Sequence, residues 1–358
     1  MFYFLLILIP SVLSVFGWKV YYKHEITPRE LVIGLGATLV LSLFLTGLTE
    51  LSKYSGMWDT EILNGYVESK APVEVSCEHS YSCNCRTVCS GSGKSRSCST
   101  VCDTCYEHSY DVDWDVKTTV GTITIDRVDR QGTATPPRFN EVEIGEPASL
   151  PHTYTNYLKG AKDSLLYIEQ KTDPNYKDIL ASYPRVFDYY KVRTVINMTK
   201  LPLEIEEQYL RKRMKELGAK KQVNIVVVFT NENPDFFNVL LSHWGGVKKN
   251  DVLMMFGMVK NKVQWFKSTS FADGMDNRDL HVHLRNNAIT KEYSTELFKE
   301  QINLVDEKFN RLPNKKFEYM IENIDPPAWV VFLNIILNLV VTGIISYQLA
   351  NNYERERV

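Results

Sequence analysis

The sequence predicts an α+β membrane protein with three transmembrane helices, a cysteine-rich stapled finger with a β-hairpin, and an α/β sandwich. Three observations lead to this class. Apolar residues concentrate at the two ends of the 358-residue chain, in residues 1–50 and 328–347. All seven cysteines fall within one polar stretch. Elsewhere, helical periodicity alternates with continuous apolar runs, a pattern that is typical of a sheet covered by helices.

Three segments have the length and composition of a transmembrane helix, which needs about 20 mostly apolar residues. They are residues 2–18, 31–48 and 328–347. We expect all three to cross the lipid bilayer. The alternative for the first segment is a cleaved signal peptide. No lysine or arginine precedes Lys19, however, whereas a signal peptide begins with a basic region.

Basic residues near the spans predict their orientation, because lysine and arginine remain on the cytoplasmic side. Lys19, Lys23 and Arg29 lie between the first two spans, and Arg355 and Arg357 follow the third. We therefore expect a multi-pass protein of a bacterial inner membrane, with residues 51–327 extracytoplasmic. Its predicted parts are two transmembrane helices with a short basic cytoplasmic loop (1–50), a finger and hairpin region (51–156), an α/β domain (157–325), a third transmembrane helix (328–347) and a cytoplasmic tail (348–358).

Two of the spans carry small or weakly polar residues at every fourth position. These stripes are Gly34, Thr38, Ser42 and Thr46 in the second span, and Asn334, Asn338 and Thr342 in the third. Small residues let helices approach, and an asparagine in lipid needs a hydrogen-bonding partner. The stripes predict either a bundle within one chain or a contact with a second copy or another membrane protein. No charged residue lies deep in a span, which argues against an ion path.

The cysteines lie in a segment from Ser76 to His108, here called the finger. This segment has no apolar periodicity, so it cannot bury a core and needs a covalent or metallic staple. The first alternative is two structural zinc ions, since eight candidate ligands complete two tetrahedral sites, with His79 as a possible substitute. The two sets are Cys98, Cys102, Cys105 and His108, and Cys77, Cys83, Cys85 and Cys89.

The second alternative for the finger is a set of disulfides. The predicted topology places the cysteines in an oxidising compartment, where thiols usually pair. Seven is an odd number, so one cysteine would stay free or bridge to another chain. The sequence leaves both alternatives open, and both make the finger a structural element that presents a surface.

The segment after the finger alternates apolar and polar residues over 109–129, which predicts a β-hairpin. Asp111, Asp113 and Asp115 share the face opposite its apolar residues. Three aspartates on one strand face are either a solvated surface or a site for a hard cation. Residues 130–156 contain several prolines and glycines and predict a loop-rich connector.

The second half of the chain predicts helices and strands in alternation. Residues 203–219 predict an amphipathic helix that Gly218 can end, and a second helix from Asn233 to Trp244 ends at Gly245-Gly246. Continuous apolar runs predict buried strands, and a further helix follows. The strands are 223–229, 251–259 and 263–267, and the last helix is 292–311. This order predicts an α/β sandwich.

The passage from Trp244 to Leu253 carries a resemblance to a known family. It reads Trp-Gly-Gly-Val-Lys-Lys-Asn-Asp-Val-Leu and resembles the W-G-x-G-x-K…N-G-V-L passage of TPM domains, which occur in thylakoid-lumen repair proteins and bacterial membrane-anchored proteins. The resemblance implies an α/β sandwich held by a membrane helix. The chain departs from the family at Lys267–Gly274, where members have a glycine-rich segment. The finger and Ile125–Gly132 also resemble membrane proteins of large tailed phages.

These features predict a membrane-anchored, non-enzymatic interaction or assembly protein. We expect its partners to be the lipid bilayer and another membrane or envelope protein, or a second copy of the chain. No nucleic acid is expected, because 41 basic residues balance 43 acidic ones. The alternative is a metal-dependent, phosphatase-like hydrolase, an activity ascribed to some TPM domains. Its candidate residues are Asp273, Asp276 and Asp279, with Asp251, although a solvated turn also favours aspartates. Separately, His281 and His283 would share one face of a strand, where they are either a metal pair or surface or core histidines.

Overall fold

The computed structural model describes residues 1–23, 25–91, 97–289 and 291–355, with residues 352–355 described by their backbone. Arg357 of the predicted cytoplasmic tail lies outside the described residues. The chain forms two compact units. The first comprises Met1–Asp59, Thr153–Glu169 and Pro313–Val358, and the second comprises Thr60–His152 and Gln170–Leu312.

The secondary structure is a mixture of helices and strands, as predicted for an α+β protein. The helices are α1 (Phe2–Tyr21), α2 (Pro28–Ser52), α3 (Pro137–Asn140), α4 (Tyr157–Gly160), α5 (Glu204–Lys221), α6 (Phe236–Trp244), α7 (Arg278–Ile289), α8 (Thr295–Lys308) and α9 (Ala328–Arg355). The strands are β1 (Trp58–Val75), β2 (Ser80–Ser90), β3 (Ser97–Tyr106), β4 (Asp111–Thr118), β5 (Gly121–Ile125), β6 (Pro147–Thr155), β7 (Val186–Phe187), β8 (Lys191–Val192), β9 (Val195–Asn197), β10 (Asn224–Thr230), β11 (Asp251–Val259) and β12 (Lys262–Ser270).

The first unit is built around α1, α2 and α9, which pack against one another. All three are long and apolar enough to cross a membrane, which confirms the three predicted segments as helices of transmembrane length and composition. Helix α2 begins with a capping box. The Thr27 hydroxyl accepts from the Glu30 backbone N–H, the Glu30 carboxylate accepts from the Thr27 N–H, and Pro28 occupies the first turn.

The two predicted stripes pack within this single chain. The Asn338 amide donates to Ser42 Oγ at 2.8 Å, and the Asn334 amide donates to Thr49 Oγ1 at 2.9 Å. Thr49, rather than the predicted Thr46, completes the stripe on α2. The reason is geometric, because each step of four residues turns the helix about 40° beyond a full rotation, and a step of three restores the face.

The second unit contains a four-stranded sheet in the order β5-β4-β1-β6. The hairpin predicted over 109–129 is confirmed as the antiparallel pair β4 and β5. The alternation also predicted correctly which face of the hairpin is buried. Trp114 and Val116 pack in the core with Val67 and Phe139. Strand β6 lies inside the segment expected to be a connector. Its prolines are compatible with a strand because Pro147 is its first residue and Pro151 lies on an edge strand of the sheet.

A second sheet has the order β12-β11-β10-β9, with β10 parallel to β9 and β11 and with β12 antiparallel. Its two central strands are almost wholly buried. Helices α5, α7 and α8 supply the core on one face, and α6 supplies the core on the other. The continuous apolar runs had predicted this burial on both faces.

Two sequence predictions in this region were wrong. Gly218 does not end α5, which continues to Lys221 and is capped by Gln222 in the left-handed conformation. His281 and His283 lie on helix α7 rather than on a strand, so they do not share a face. The residues that α7 buries are Leu280, Leu284 and Ala288, a helical repeat of four that outweighs the short alternation around Val282.

Candidate functional site

The finger projects from two neighbouring strands of the first sheet. Strands β1 and β4 are antiparallel, with Val75 paired to Asp111, and the finger connects their ends. Within it, β2 and β3 form an antiparallel ribbon in which Ser80 pairs with Tyr106 at the base. The side chains of this ribbon are almost all exposed. The ribbon therefore has no core of its own, as the sequence predicted.

Three disulfides hold the ribbon together. They join Cys83 to Cys105, Cys85 to Cys102, and Cys89 to Cys98. This pairing favours the disulfide alternative over the two predicted zinc ions, because a sulfur in a disulfide is not available as a thiolate ligand. Of the eight predicted ligands, Cys77 and His108 remain outside these bridges, and Cys77 is the free and buried cysteine that the odd count required.

The strand register separates the two faces of the ribbon. A bulge at Asn84, which has a φ of +48°, shifts the register between Cys83 and Arg86. Because side chains alternate along each strand, one face carries Tyr81, Val88 and Val101, together with the Arg86–Asp103 ion pair and one disulfide. We call this the valine face. The disulfides of Cys85 and Cys89 lie on the opposite face.

The base of the finger brings four potential metal ligands together. Cys77, His79, His108 and Asp111 each offer one ligand atom, and these atoms lie within 4.8 Å of one another. We call them the root cluster. Among the described residues, no other group of three or more histidine, cysteine or acidic side chains meets this spacing.

The distances within the root cluster are short. Cys77 Sγ lies 3.7 Å from His108 Nδ1. The Nδ1 atoms of His79 and His108 each lie 3.3 Å from a carboxylate oxygen of Asp111. Cys77 and Asp111 are buried, whereas the side chains of the two histidines are 24% and 25% exposed. The cluster is thus closed on one side and open to solvent on the other.

Asp111 is held in its charged form. The largest influence is the backbone N–H of Glu78, 3.0 Å from Oδ2, which holds the pKa of Asp111 well below its usual range. Hydrogen bonds from Cys77 and His79 act in the same direction, as does the charge of Arg127. Together these interactions outweigh the loss of hydration on burial. A charged carboxylate in this position is ready to serve as a ligand.

Sequence reasoning missed the root cluster as a set. It had placed Asp111 with Asp113 and Asp115 on a polar strand face. In the structure Asp111 is buried, and Asp113 and Asp111 both bind Arg127. The available signal was the ribbon itself, because pairing β2 with β3 brings the residues before Ser80 next to those after Tyr106.

The residues proposed for a hydrolase do not form a common site in the part of the chain that the structure describes. Asp279 binds Lys308 at 2.9 Å and His283 at 3.2 Å. Asp251 is buried and hydrogen-bonded to Asn224 and Tyr183, and these aspartates do not bring three ligand atoms together among the described residues. The hydrolase alternative therefore gains no geometric support here.

Asp251, which is buried, and His281, which is half-buried, have strongly displaced pKa values. Burial raises the pKa of Asp251 to about 6, although hydrogen bonds from Asn224, the Lys248 backbone and Tyr183 oppose this rise. Burial lowers the pKa of His281 to about 4, and its ring lies between the hydroxyls of Ser268 and Ser270 at 2.8 and 3.0 Å. Both groups lie in the second sheet's layers, away from the finger in sequence.

Comparison with known proteins gives no relative for this chain, since no family model, no curated protein and no solved structure matches it. The resemblances to TPM domains and to phage membrane proteins therefore stay predictions.

Proposed function

We propose that this chain is a membrane-anchored, non-enzymatic interaction protein that presents its finger to another membrane or envelope protein. The observation that carries this proposal is the exposure of the disulfide-bridged ribbon. Tyr81, Val88 and Val101 are 52%, 45% and 42% exposed, and all three belong to the valine face. Tyrosine and arginine, here Tyr81 and Arg86, are enriched at protein-binding surfaces, and the two valines add apolar area that a partner can bury.

The staples support this role. Ordering a ribbon that buries little costs conformational entropy, and the disulfides reduce that cost by restricting the unfolded chain. A surface that is rigid before binding loses less freedom when a partner docks, so it binds more tightly for a given area. The outer edges of β2 and β3 also leave backbone groups available for an added strand.

The proposed location is the extracytoplasmic face of a bacterial inner membrane. Three disulfides in one finger suit an oxidising compartment, and the basic residues flanking the spans favour the same orientation. Alkylation of thiols in intact cells, followed by mass measurement, tests this location. We expect six of the seven cysteines to resist alkylation unless they are first reduced. Alkylation of all seven without reduction would place the finger in a reducing compartment.

The interaction itself can be tested by photo-crosslinking in native membranes. A photo-crosslinking amino acid at Val88 should give one discrete adduct with a protein of the same membrane or envelope. The matched control is Val128, an exposed valine outside the finger, which is 56% exposed and should not give that adduct. The double substitution Cys85→Ser with Cys102→Ser should weaken the Val88 adduct while the membrane level of the chain stays the same. Equal adducts from both valines, or none from Val88, would refute the proposal.

A further inference from the structure

The root cluster has the ligand types of a zinc site. A thiolate and imidazoles are preferred by zinc, whereas calcium and magnesium require oxygen ligands in larger numbers. Cys77 supplies the sulfur, His79 and His108 supply nitrogen, and Asp111 supplies a carboxylate oxygen. Four ligands of these types complete a tetrahedral shell.

The measured distances also agree with that shell. Usual zinc bond lengths place neighbouring tetrahedral ligands about 3.6 Å apart for a sulfur and a nitrogen, and about 3.4 Å apart for a nitrogen and an oxygen. The corresponding distances are 3.7 Å from Cys77 Sγ to His108 Nδ1 and 3.3 Å from His108 Nδ1 to Asp111 Oδ1, whereas His79 Nδ1 lies 3.3 Å from the other oxygen, Oδ2. The two ligand atoms that are farthest apart lie within 4.8 Å of each other. Rotation of the side chains can bring them about 1 Å closer, to the spacing of a tetrahedral zinc site.

The charges of the cluster balance around a divalent ion. The thiolate of Cys77 and the carboxylate of Asp111 together carry two negative charges, which neutralise Zn²⁺. Arg127 lies next to Asp111, but its own charge is matched by Asp113, at 2.6 Å. A buried site with no net charge avoids the large cost of an unpaired ion in a medium of low polarity.

The groups behind the ligands hold them in place. The second oxygen of Asp111 accepts from the Glu78 backbone N–H and from Arg127 Nη1, both at 3.0 Å. Supporting hydrogen bonds of this kind orient the ligands of metal sites. The partly exposed histidine rings provide the route by which an ion reaches the site from solvent.

From this geometry we infer that Cys77, His79, His108 and Asp111 bind a single structural Zn²⁺ that fixes the base of the finger. This site accounts for the odd cysteine. Six cysteines form the ribbon's disulfides, and the seventh is a metal ligand. It also differs from the two sites that the sequence had predicted, because it draws one ligand from β4 and none from the ribbon itself.

The test uses the full-length protein in detergent, purified without chelators. We expect about one zinc per chain by elemental analysis, as a single tetrahedral site requires. We also expect one thiol that becomes reactive only after chelation. Replacing zinc with Co²⁺ should produce a thiolate-to-cobalt absorption band, which a site without Cys77 cannot give. Calcium and magnesium should not displace the cobalt.

Variants identify the ligands. Cys77→Ser and His108→Gln should each lower zinc affinity by at least about tenfold, which is the smallest effect expected even for a supporting group. The matched control is His283→Gln, because His283 is an exposed histidine on α7 and should leave zinc content unchanged. His79→Gln is a further ligand variant that leaves the thiol in place.

Several results would overturn the inference. One is a wild-type protein that has a reduced Cys77 but gives no thiolate-to-cobalt band, an outcome that does not depend on whether any variant folds. Others are Cys77 in a disulfide with a second chain, zinc content that is unchanged in folded Cys77→Ser and His108→Gln proteins, and displacement of cobalt by calcium.

Discussion

Gly218 offers a direct test of how closely α5 approaches the first sheet. A Cβ atom at this position would lie 1.9 Å from the Asn64 carbonyl oxygen and 2.5 Å from the Asn64 carbonyl carbon. Ordinary van der Waals contact begins at about 3.4 Å. The Gly218→Ala substitution must therefore move the backbone of β1 or of α5 by more than about 1 Å in a packed region.

The magnitude follows from three opposing contributions. Alanine is the better helix former and favours the variant by about 1 kcal/mol. Overpacking opposes it by about 1–3 kcal/mol. The shift also disturbs Asn64, whose amide donates to Asn224 at 3.1 Å and whose side-chain oxygen accepts from Ser149 at 2.8 Å, each bond being worth about 1 kcal/mol. We expect a net loss of about 2–4 kcal/mol in local stability.

Hydrogen exchange measured by mass spectrometry on the detergent-solubilised chain can detect this loss. The reporter is the set of backbone amides of β10, the strand that contains Asn224. A loss of about 2–4 kcal/mol should speed their exchange by about 30- to 700-fold, since about 1.4 kcal/mol corresponds to a factor of ten. The control is Ala219→Gly, an exposed neighbour on the same helix, which should cost only the propensity term of about 1 kcal/mol.

The two substitutions separate packing from propensity. If helix propensity alone decided the outcome, Gly218→Ala would slow exchange in β10 and Ala219→Gly would speed it. Slower or unchanged exchange in Gly218→Ala would therefore refute the close approach of α5 to Asn64. Faster exchange by about the same factor in both variants would show that the effect is not specific to position 218.

Two further predictions concern pH and the membrane helices. Asp251 has a raised pKa of about 6 in the fold, so its contribution to stability falls as pH rises from about 4 to about 6. His281 has a lowered pKa of about 4, so its contribution rises from about pH 4 to about 6.5. Each effect is on the order of 3 kcal/mol, and the two oppose each other. As pH rises over this range, the unfolding temperature of Asp251→Asn should therefore rise relative to the wild type, and that of His281→Gln should fall. Profiles of unfolding temperature against pH that run parallel to the wild type would contradict both assignments. In the helix bundle, Asn338→Leu should lower stability against denaturing detergent by about 0.6–2 kcal/mol, because it removes the hydrogen bonds to Ser42 and to the Ile7 carbonyl. The control is Leu337→Val, an exposed position that should have little effect. Equal effects of the two substitutions would contradict the buried contact.

The features that the sequence predicted well are local ones. A membrane span is a run of apolar residues, and a buried central strand such as β10 is a shorter one, so neither depends on knowing the partner segment. Gly245 was also correctly predicted as a helix end, and its φ of +67° is the left-handed conformation that glycine adopts readily. Gly218 was misinterpreted as a helix end because its role does not depend on the local sequence. Its role is to allow a close approach by Asn64, a residue distant in the sequence.

The root cluster could not be predicted as a set because its members come from both sides of the finger. Cys77 and His79 precede the ribbon, while His108 and Asp111 follow it. The alternation of residues correctly placed Trp114 in the core but put Asp111 on the polar face. Asp111 is the first residue of β4, where the finger's base covers it and Arg127 and Glu78 replace the hydration that it loses.

The two kinds of staple constrain different motions of the finger. The disulfides join β2 to β3, so they fix the ribbon's register whether or not a metal is bound. The root cluster joins Cys77, His79 and His108, at the ribbon's base, to Asp111. Asp111 belongs to the first sheet, because it pairs with Val75. Loss of zinc should therefore leave the ribbon intact but free to pivot on the sheet, whereas loss of disulfides should open the ribbon above a base that still binds metal. It follows that Cys77→Ser should weaken the Val88 crosslink by broadening the ribbon's orientation, and the Cys85→Ser and Cys102→Ser pair should weaken it by distorting the valine face itself.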